Sequence, residues 1–405
     1  MGSEHSEIEE QAAADKAPGR KRKITLALVL GFALVEFALP FAVAELPLST
    51  RMRLPAPLYI LGETSKAGLV PDDYVLLLGD SYAAGGGDWL LEVADSGGSP
   101  PFQATHILHA ETGRDVLTFG SAGSGNVNAT AYLASKRFAQ LRRSLLGEPT
   151  DVVVYFYEGN DLNDNLRRAR RYFGTRERSF DSYTPAELDE LIAGRARAGW
   201  LKGLPGMLYA PYILQKFLQQ EVSAGKSSNG RDGIMRQCES IDELLESGEP
   251  VTPVRSGETH WLFNHWTQSP GLELTPEETA FALSMLEGSL RWVKQRFEGV
   301  SVTLVYLPSP LSCYELSSPT VHVRSYESRA EEYPASEVSL RSDAIRARVR
   351  SMAEALELDF VDSTPALREA ATFAPVHGPI DGNHLNRRGY EVLGRLLVER
   401  FREPK

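Results

Sequence analysis

The run Tyr74-Val75-Leu76-Leu77-Leu78 is apolar without alternation, which suits a strand covered on both faces inside a parallel sheet. Four more segments of strand length follow, at 115–119, 151–157, 300–307 and 359–361. Helical patterning separates them at 102–112, 128–145, 276–297 and 345–356, and a last helix is expected at 386–401. Thr275-Pro276-Glu277-Glu278 places an N-cap threonine, an N1 proline and an N3 glutamate in register, so the helix at 276 has a defined start. This alternation predicts an α/β fold: a three-layer α/β/α sandwich around a parallel sheet of about five strands.

Residues 162–274 break the alternation. Thr184-Pro185-Ala186-Glu187 opens a capped helix, and 200–218 is apolar enough to pack on something, so the segment reads as a mostly helical insert or cap. It leaves the third strand at the sheet's C-terminal edge and is placed to roof whatever sits there; a peripheral hairpin is the alternative. The α/β domain is thereby divided into 72–161 and 275–405. No internal repeat is visible.

A second apolar run, 24–44, is interrupted only by Glu36 and Pro40 and is long enough to span a bilayer, for which about 20 residues are needed. Lys16, Arg20, Lys21, Arg22 and Lys23 precede it, whereas Arg51 and Arg53 follow, so the positive-inside rule puts the N-terminus in the cytoplasm. The expected arrangement is a disordered cytoplasmic tail (1–23), a single transmembrane helix or signal anchor (24–44), a linker rich in proline and glycine (45–71), and a periplasmic or extracellular domain. Ala42-Val43-Ala44 has the form of a cleavage site, so secretion after cleavage is the rival. Met1-Gly2 with Ser6 matches a myristoylation pattern and is read as chance.

Composition narrows the class. The 405 residues carry 43 basic and 54 acidic side chains, a net charge of 43 − 54 = −11, which argues against a nucleic-acid partner. Two cysteines, Cys238 and Cys313, supply at most one bridge between insert and core.

The candidate chemistry lies at strand ends. Gly79-Asp80-Ser81-Tyr82 follows the first strand, and Asp381-Gly382-Asn383-His384 stands near the C-terminus. Together they supply a serine nucleophile, a histidine base and, three residues before it, an aspartate that can orient the imidazole. Gly120-Ser121-Ala122-Gly123 follows the second strand and Glu158-Gly159-Asn160-Asp161 the third. Glycine backbone N–H groups and an asparagine amide are the parts of an oxyanion hole.

These four blocks resemble the SGNH (GDSL-type) hydrolase family, with Ser81, Gly123, Asn160 and His384 at the four named positions and Asp381 as the histidine's carboxylate. Tyr82 stands where the family usually has leucine, Thr118 where asparagine is common, and Glu158 where block three usually has its glycine. The resemblance implies a serine esterase working through an acyl-enzyme on Ser81, with Ser81, Gly123 and Asn160 forming the oxyanion hole. It implies ester substrates, O-acetyl carbohydrate among them, and no cofactor or metal. An O-acyltransferase acting on an extracytoplasmic polysaccharide would use the same triad. A non-catalytic carbohydrate-binding or assembly protein is the alternative of another class.

Weaker signals remain. Arg167, Arg168, Arg170, Arg171, Arg176 and Arg178 follow Asn160 and are candidates for binding an anionic substrate or form a solvated helix face. His260 and His265, with Trp261 and Trp266, line a sugar cleft or pack within the insert. Asp161, Asn163 and Asn165 begin like a calcium loop, but Leu166 and Tyr172 stand where glycine and glutamate are required. His106 and His109 lie one helical turn apart and are read as helix surface rather than metal ligands.

Overall fold

The computed structural model describes residues 17–44, 67–68, 70–87, 103–141, 146–173, 179–206, 235–238, 250–324 and 331–402. The first elements are α1 (Ala17–Ala44), β1 (Val75–Leu78), α2 (Ala104–Thr112) and β2 (Val116–Thr118). A π-helical turn at Asn128–Tyr132 runs into α3 (Leu133–Leu141), and β3 (Asp151–Tyr157) follows. Next come α4 (Asp161–Phe173), α5 (Pro185–Gly206), β4 (Met235–Cys238), β5 (Val251–Ser256) and β6 (Thr259–Asn264). After them lie α6 (Pro276–Arg296), β7 (Ser301–Leu307), α7 (Pro310–Cys313), β8 (Glu315–Leu316), β9 (Thr320–Val323) and β10 (Glu331–Pro334). The last elements are α8 (Ala335–Ala355), β11 (Asp359–Asp362), α9 (Thr364–Ala371) and α10 (Arg387–Arg402).

The central sheet has the order β11-β7-β3-β1-β2, parallel throughout, and its strands are the five expected segments. Successive side chains of a strand point to opposite faces, so each apolar run feeds two cores. Leu76, Leu78, Val152, Val154, Phe156, Leu304 and Tyr306 pack with α3 and α6 residues on one side. Val75, Leu77, Val153, Tyr155, Tyr157, Val305 and Leu307 pack with Leu367, Leu393 and Leu397 of α9 and α10 on the other. Burying a leucine or valine side chain contributes about 1.5–3 kcal/mol, and every residue of β1 and β3 is buried. The predicted cap of α6 is present: Thr275 accepts from the Glu278 N–H while the Glu278 carboxylate accepts from the Thr275 N–H. From β1 the chain crosses to β2 on one side and returns to β3 on the other, so the strand order reverses at β1/β3. That reversal opens a crevice at the strands' C-terminal ends.

The insert adds strands to the expected helices. Its described part holds two helices, α4 and α5, and then three strands. These join β8 in an antiparallel sheet of order β4-β6-β5-β8. Pro253 and the distant partner β8 disguise β5 in the sequence, and Gly257, at φ 64°, makes the β5–β6 turn. Helix α8 starts ten residues before the expected 345, with Pro334 at its N-cap. Cys313 is a free, buried thiol, and the side chain of Cys238, its expected partner, lies outside the described residues. Residues 1–16 of the expected tail, nearly all of the 45–71 linker, 207–218 of the apolar insert segment, and Arg176 and Arg178 lie outside the described residues.

The apolar N-terminal run is helical within α1, where Ile24, Leu26, Leu28, Val29, Leu30, Phe32 and Leu34 are exposed. Among the described residues no helix is long and apolar enough to cross a membrane. The side chains at 17–21, 35–37, 39–41 and 43–44 of α1 lie outside them.

Candidate active site

Strand β1 delivers Asp80 and Ser81 to the crevice, β3 delivers Asn160, and the loop before α10 delivers Asp381 and His384. The structure brings the expected triad together. His384 Nε2 is 2.7 Å from Ser81 Oγ, and its Nδ1 is 2.6 Å from Asp381 Oδ2. Both are hydrogen-bond distances, so one imidazole bridges hydroxyl and carboxylate.

The loop carrying His384 is tied down at many points. The amide of Asn386 donates to the carbonyls of Pro375 and His377, and its Oδ1 accepts from the Gly389 N–H in the first turn of α10. Leu385 forms an isolated antiparallel bridge with His377. The hydroxyls of Tyr82 and Tyr157 donate to the Asn383 carbonyl at 2.6 and 3.3 Å. The Tyr82 ring lies 5.3 Å from that of His384. Tyr82 thus adds a hydrogen bond to the loop that carries His384.

Electrostatics favour an ionised Asp381. Burial alone would raise its carboxyl, but the hydrogen bond and charge of His384, with the Asn383 N–H, hold it below its ordinary value. Asp80, Asp161 and Asp164 form an acidic layer beneath the serine, and burial pushes all three carboxyls up. Asp80 is steadied by the Tyr82 N–H at 2.9 Å and by a bond from the Asn160 side chain.

The two glycine candidates separate on packing. A Cβ on Gly120 would sit 2.1 Å from the Ala84 nitrogen, so Gly120 is there for close backbone approach. Gly123, at φ 63°, has open space on that side and lines the hollow in front of Ser81. Among the described residues, neither the Ser81 nor the Gly123 N–H donates to the protein. Glu158 is buried. It accepts from the hydroxyls of Tyr306 and Ser342 and from the Ser309 N–H, tying β3 to β7 and α8.

That hollow, about 240 Å³, is lined by Ser81, Gly123, Asn160, Asp381 and His384, and also by Asn163, Trp266, Gln268, Ser269, Glu273 and Arg324. Larger grooves of about 840 and 510 Å³ run along α10, away from any nucleophile–base pair. Of the expected substrate-binding residues, Trp266 lines the hollow, with the Arg324 guanidinium 4.1 Å from its ring centroid. Arg167 pairs with Asp164, and Arg168 donates to the Gly123 carbonyl at 3.2 Å. Trp261 packs against the core, His260 meets the Ser317 hydroxyl at 3.2 Å, and His109 meets the Arg114 carbonyl at 2.9 Å. Among the described residues no cluster suits a metal ion. Gln268, Glu273 and Arg324 were not anticipated, because only folding brings them beside Ser81.

No protein-family model and no curated protein matches the sequence. Solved structures do. An extracellular lipase from Streptomyces rimosus is 14% identical, with a TM-score of 0.37 over 82% of this chain and 99% of that one. A carbohydrate acetylesterase from Sinorhizobium meliloti is 13% identical, with a TM-score of 0.31 over 81% and 97%. A further carbohydrate acetylesterase family member from the same organism is also 13% identical, with a TM-score of 0.29 over the same shares. Likenesses this loose fix neither activity nor site.

Proposed function

We propose that this chain is a serine ester hydrolase of SGNH type. The observation that carries the reading is the contact of His384 with Ser81 Oγ on one side and Asp381 on the other, inside a hollow that admits a small ester. His384 takes the Ser81 proton as Oγ attacks the ester carbonyl. The resulting imidazolium is stabilised by Asp381 and returns the proton to the leaving alcohol. Water, deprotonated by the same imidazole, then releases the acid and regenerates the hydroxyl. The N–H groups of Ser81 and Gly123 and the second amide hydrogen of Asn160 serve the oxyanion, each worth about 2.7–4 kcal/mol of barrier.

Hydrolysis of 4-nitrophenyl acetate by the full-length protein in mild detergent tests this. Wild type is expected to turn over, and Ser81→Ala to lose at least about a thousandfold in kcat with its thermal midpoint preserved. Turnover retained in Ser81→Ala refutes the nucleophile.

We further propose that residues 24–44 anchor the domain in a membrane with the N-terminus cytoplasmic. The basic stretch before the run and the exposed apolar side chains of α1 support this. Release of the intact chain from membranes by alkaline carbonate contradicts it.

A further inference from the structure

Two of the proposed oxyanion donors, the Asn160 amide and the Gly123 N–H, come from separate segments, and one helix meets both. Asn160 heads α4, where its carbonyl accepts from the Asp164 N–H at 2.8 Å. Gly123 lies in the loop between β2 and the π-helical turn. Its φ is 63°, nothing packs within 4 Å of where a Cβ would stand, and a second glycine, Gly125, follows two residues later. Glycine has no strong preference for one backbone conformation, so side chains from elsewhere have to fix this loop.

Contacts at three points do so. At its start the Ser121 N–H donates to the carbonyls of Gly79 and Asp80, both at 3.1 Å, which ties the loop to the turn of the nucleophile. At its end Asn126 and Asn165 of α4 bond reciprocally. The Asn126 N–H donates to Asn165 Oδ1 at 2.8 Å, and the Asn165 amide donates to Asn126 Oδ1 at 2.7 Å. A Cβ on Gly125 would lie 2.6 Å from that Asn165 oxygen, so the glycine permits the approach.

The middle of the loop is held by Arg168. It lies three residues after Asn165, on the same face of α4. Its guanidinium donates to the Gly123 carbonyl at 3.2 Å, its one hydrogen bond among the described residues. Arg168 is half-buried and does not line the hollow, so it acts on the site through Gly123. A charged donor makes this bond stronger than a neutral one would be.

We propose that Arg168 is a positioning residue for the oxyanion site: by holding the Gly123 carbonyl it fixes the orientation of that residue's N–H. Helix α4, which also presents Asn160, thereby sets the spacing of the two donors. The inference rests on the serine-hydrolase reading and adds the group that pre-organises its oxyanion donors. Donors already aimed at the developing charge need no reorganisation during the reaction, so the benefit falls on the transition state and is read in kcat rather than KM.

The test uses the full-length protein, 4-nitrophenyl acetate and trifluoroacetone. Ser81 Oγ adds to the ketone carbon, its proton passes to His384, and the carbonyl oxygen becomes an oxyanion, so the inhibition constant reports the oxyanion site alone. Arg168→Met keeps the aliphatic bulk and removes the donor. It should lower kcat about tenfold to a hundredfold, as for loss of a charge-assisted hydrogen bond, with KM within about threefold and a similar weakening of trifluoroacetone. Arg168→Lys, which restores a charged donor, should recover most of both losses. Arg171→Met, which removes the same charge from an exposed position of α4, should leave both within about twofold. Should Arg168→Met not fold, Arg168→Gln is read by the same criteria. A kcat within about twofold of wild type, a loss that leaves trifluoroacetone binding unchanged, or an equal loss in Arg171→Met overturns the inference and leaves the triad standing. A wild type inactive on 4-nitrophenyl acetate and indifferent to trifluoroacetone removes the hydrolase reading and this one with it.

Discussion

His377 is a buried histidine bridged to Leu385 in the loop that carries His384, and the structure dictates how its titration affects stability. The Tyr314 hydroxyl oxygen accepts from the N–H groups of Val376 and His377, at 3.0 and 3.1 Å, so its own hydrogen goes to His377 Nδ1 at 3.1 Å. The ring hydrogen therefore sits on Nε2, which has no partner among the described residues, and the imidazole is neutral. Burial, with the His384 charge nearby, pushes its pKa down from 6.5 to about 3. The unfolded chain then binds the extra proton first, so this contribution is full above pH 6.5 and is lost as pH falls toward 3. Between pH 8 and pH 5 the loss is 2.303RT·log[(1 + 10^1.5)/(1 + 10^−2)], about 2 kcal/mol with those two values. Asp80 and Asp161, whose raised carboxyls act in the opposite sense, are common to wild type and His377→Asn and cancel in their difference. Urea unfolding followed by tryptophan fluorescence should show His377→Asn less stable than wild type at pH 8, with the gap narrowing by about 2 kcal/mol at pH 5. A gap that stays constant or widens refutes a neutral His377.

Asp381→Asn should cost about 10⁴ in kcat while leaving the fold intact, because an amide cannot hold the imidazole in its working tautomer. The ratio of mutant to wild-type 4-nitrophenyl acetate hydrolysis reads this directly. Asn383→Ala removes both clamps between the catalytic loop and the Trp266–Gln268 stretch. It should lower stability by about 1–3 kcal/mol and raise KM more than it lowers kcat, checked by unfolding curves and steady-state kinetics. Burial pushes the Cys313 thiol up, so a thiol reagent should modify Cys313 only once the chain is unfolded, as mapped by mass spectrometry.

Much of the scaffold was legible because a parallel sheet covered on both faces demands apolar runs, and β1 and β3 are buried at every position. The α6 start was legible because capping is local, confined to Thr275–Glu278. The meeting of Ser81 with Asp381 and His384 could be anticipated because each lies in a short block, one after β1 and one just before α10. The hidden parts depend on distant pairing. Strand β5 bonds to β8 across α6 and β7, and its buried Val254 and exposed Arg255 flank no run long enough to signal a strand. Glu273 reads in sequence as a polar residue before a helix cap. Arg324 follows β9, an edge invisible until it pairs with β10. For Arg167 and Arg168, proximity to Asn160 in sequence says nothing about which way a helix turns its side chains; one pairs with Asp164 and the other donates to the Gly123 carbonyl.

Reaction of the full-length protein with a fluorophosphonate, followed by peptide mapping, tests the central claim most directly, since only a serine activated by a base captures the reagent. The adduct is predicted on Ser81 alone, with labelling lost in His384→Ala. A folded protein that takes no label, or takes it at another residue, contradicts the account.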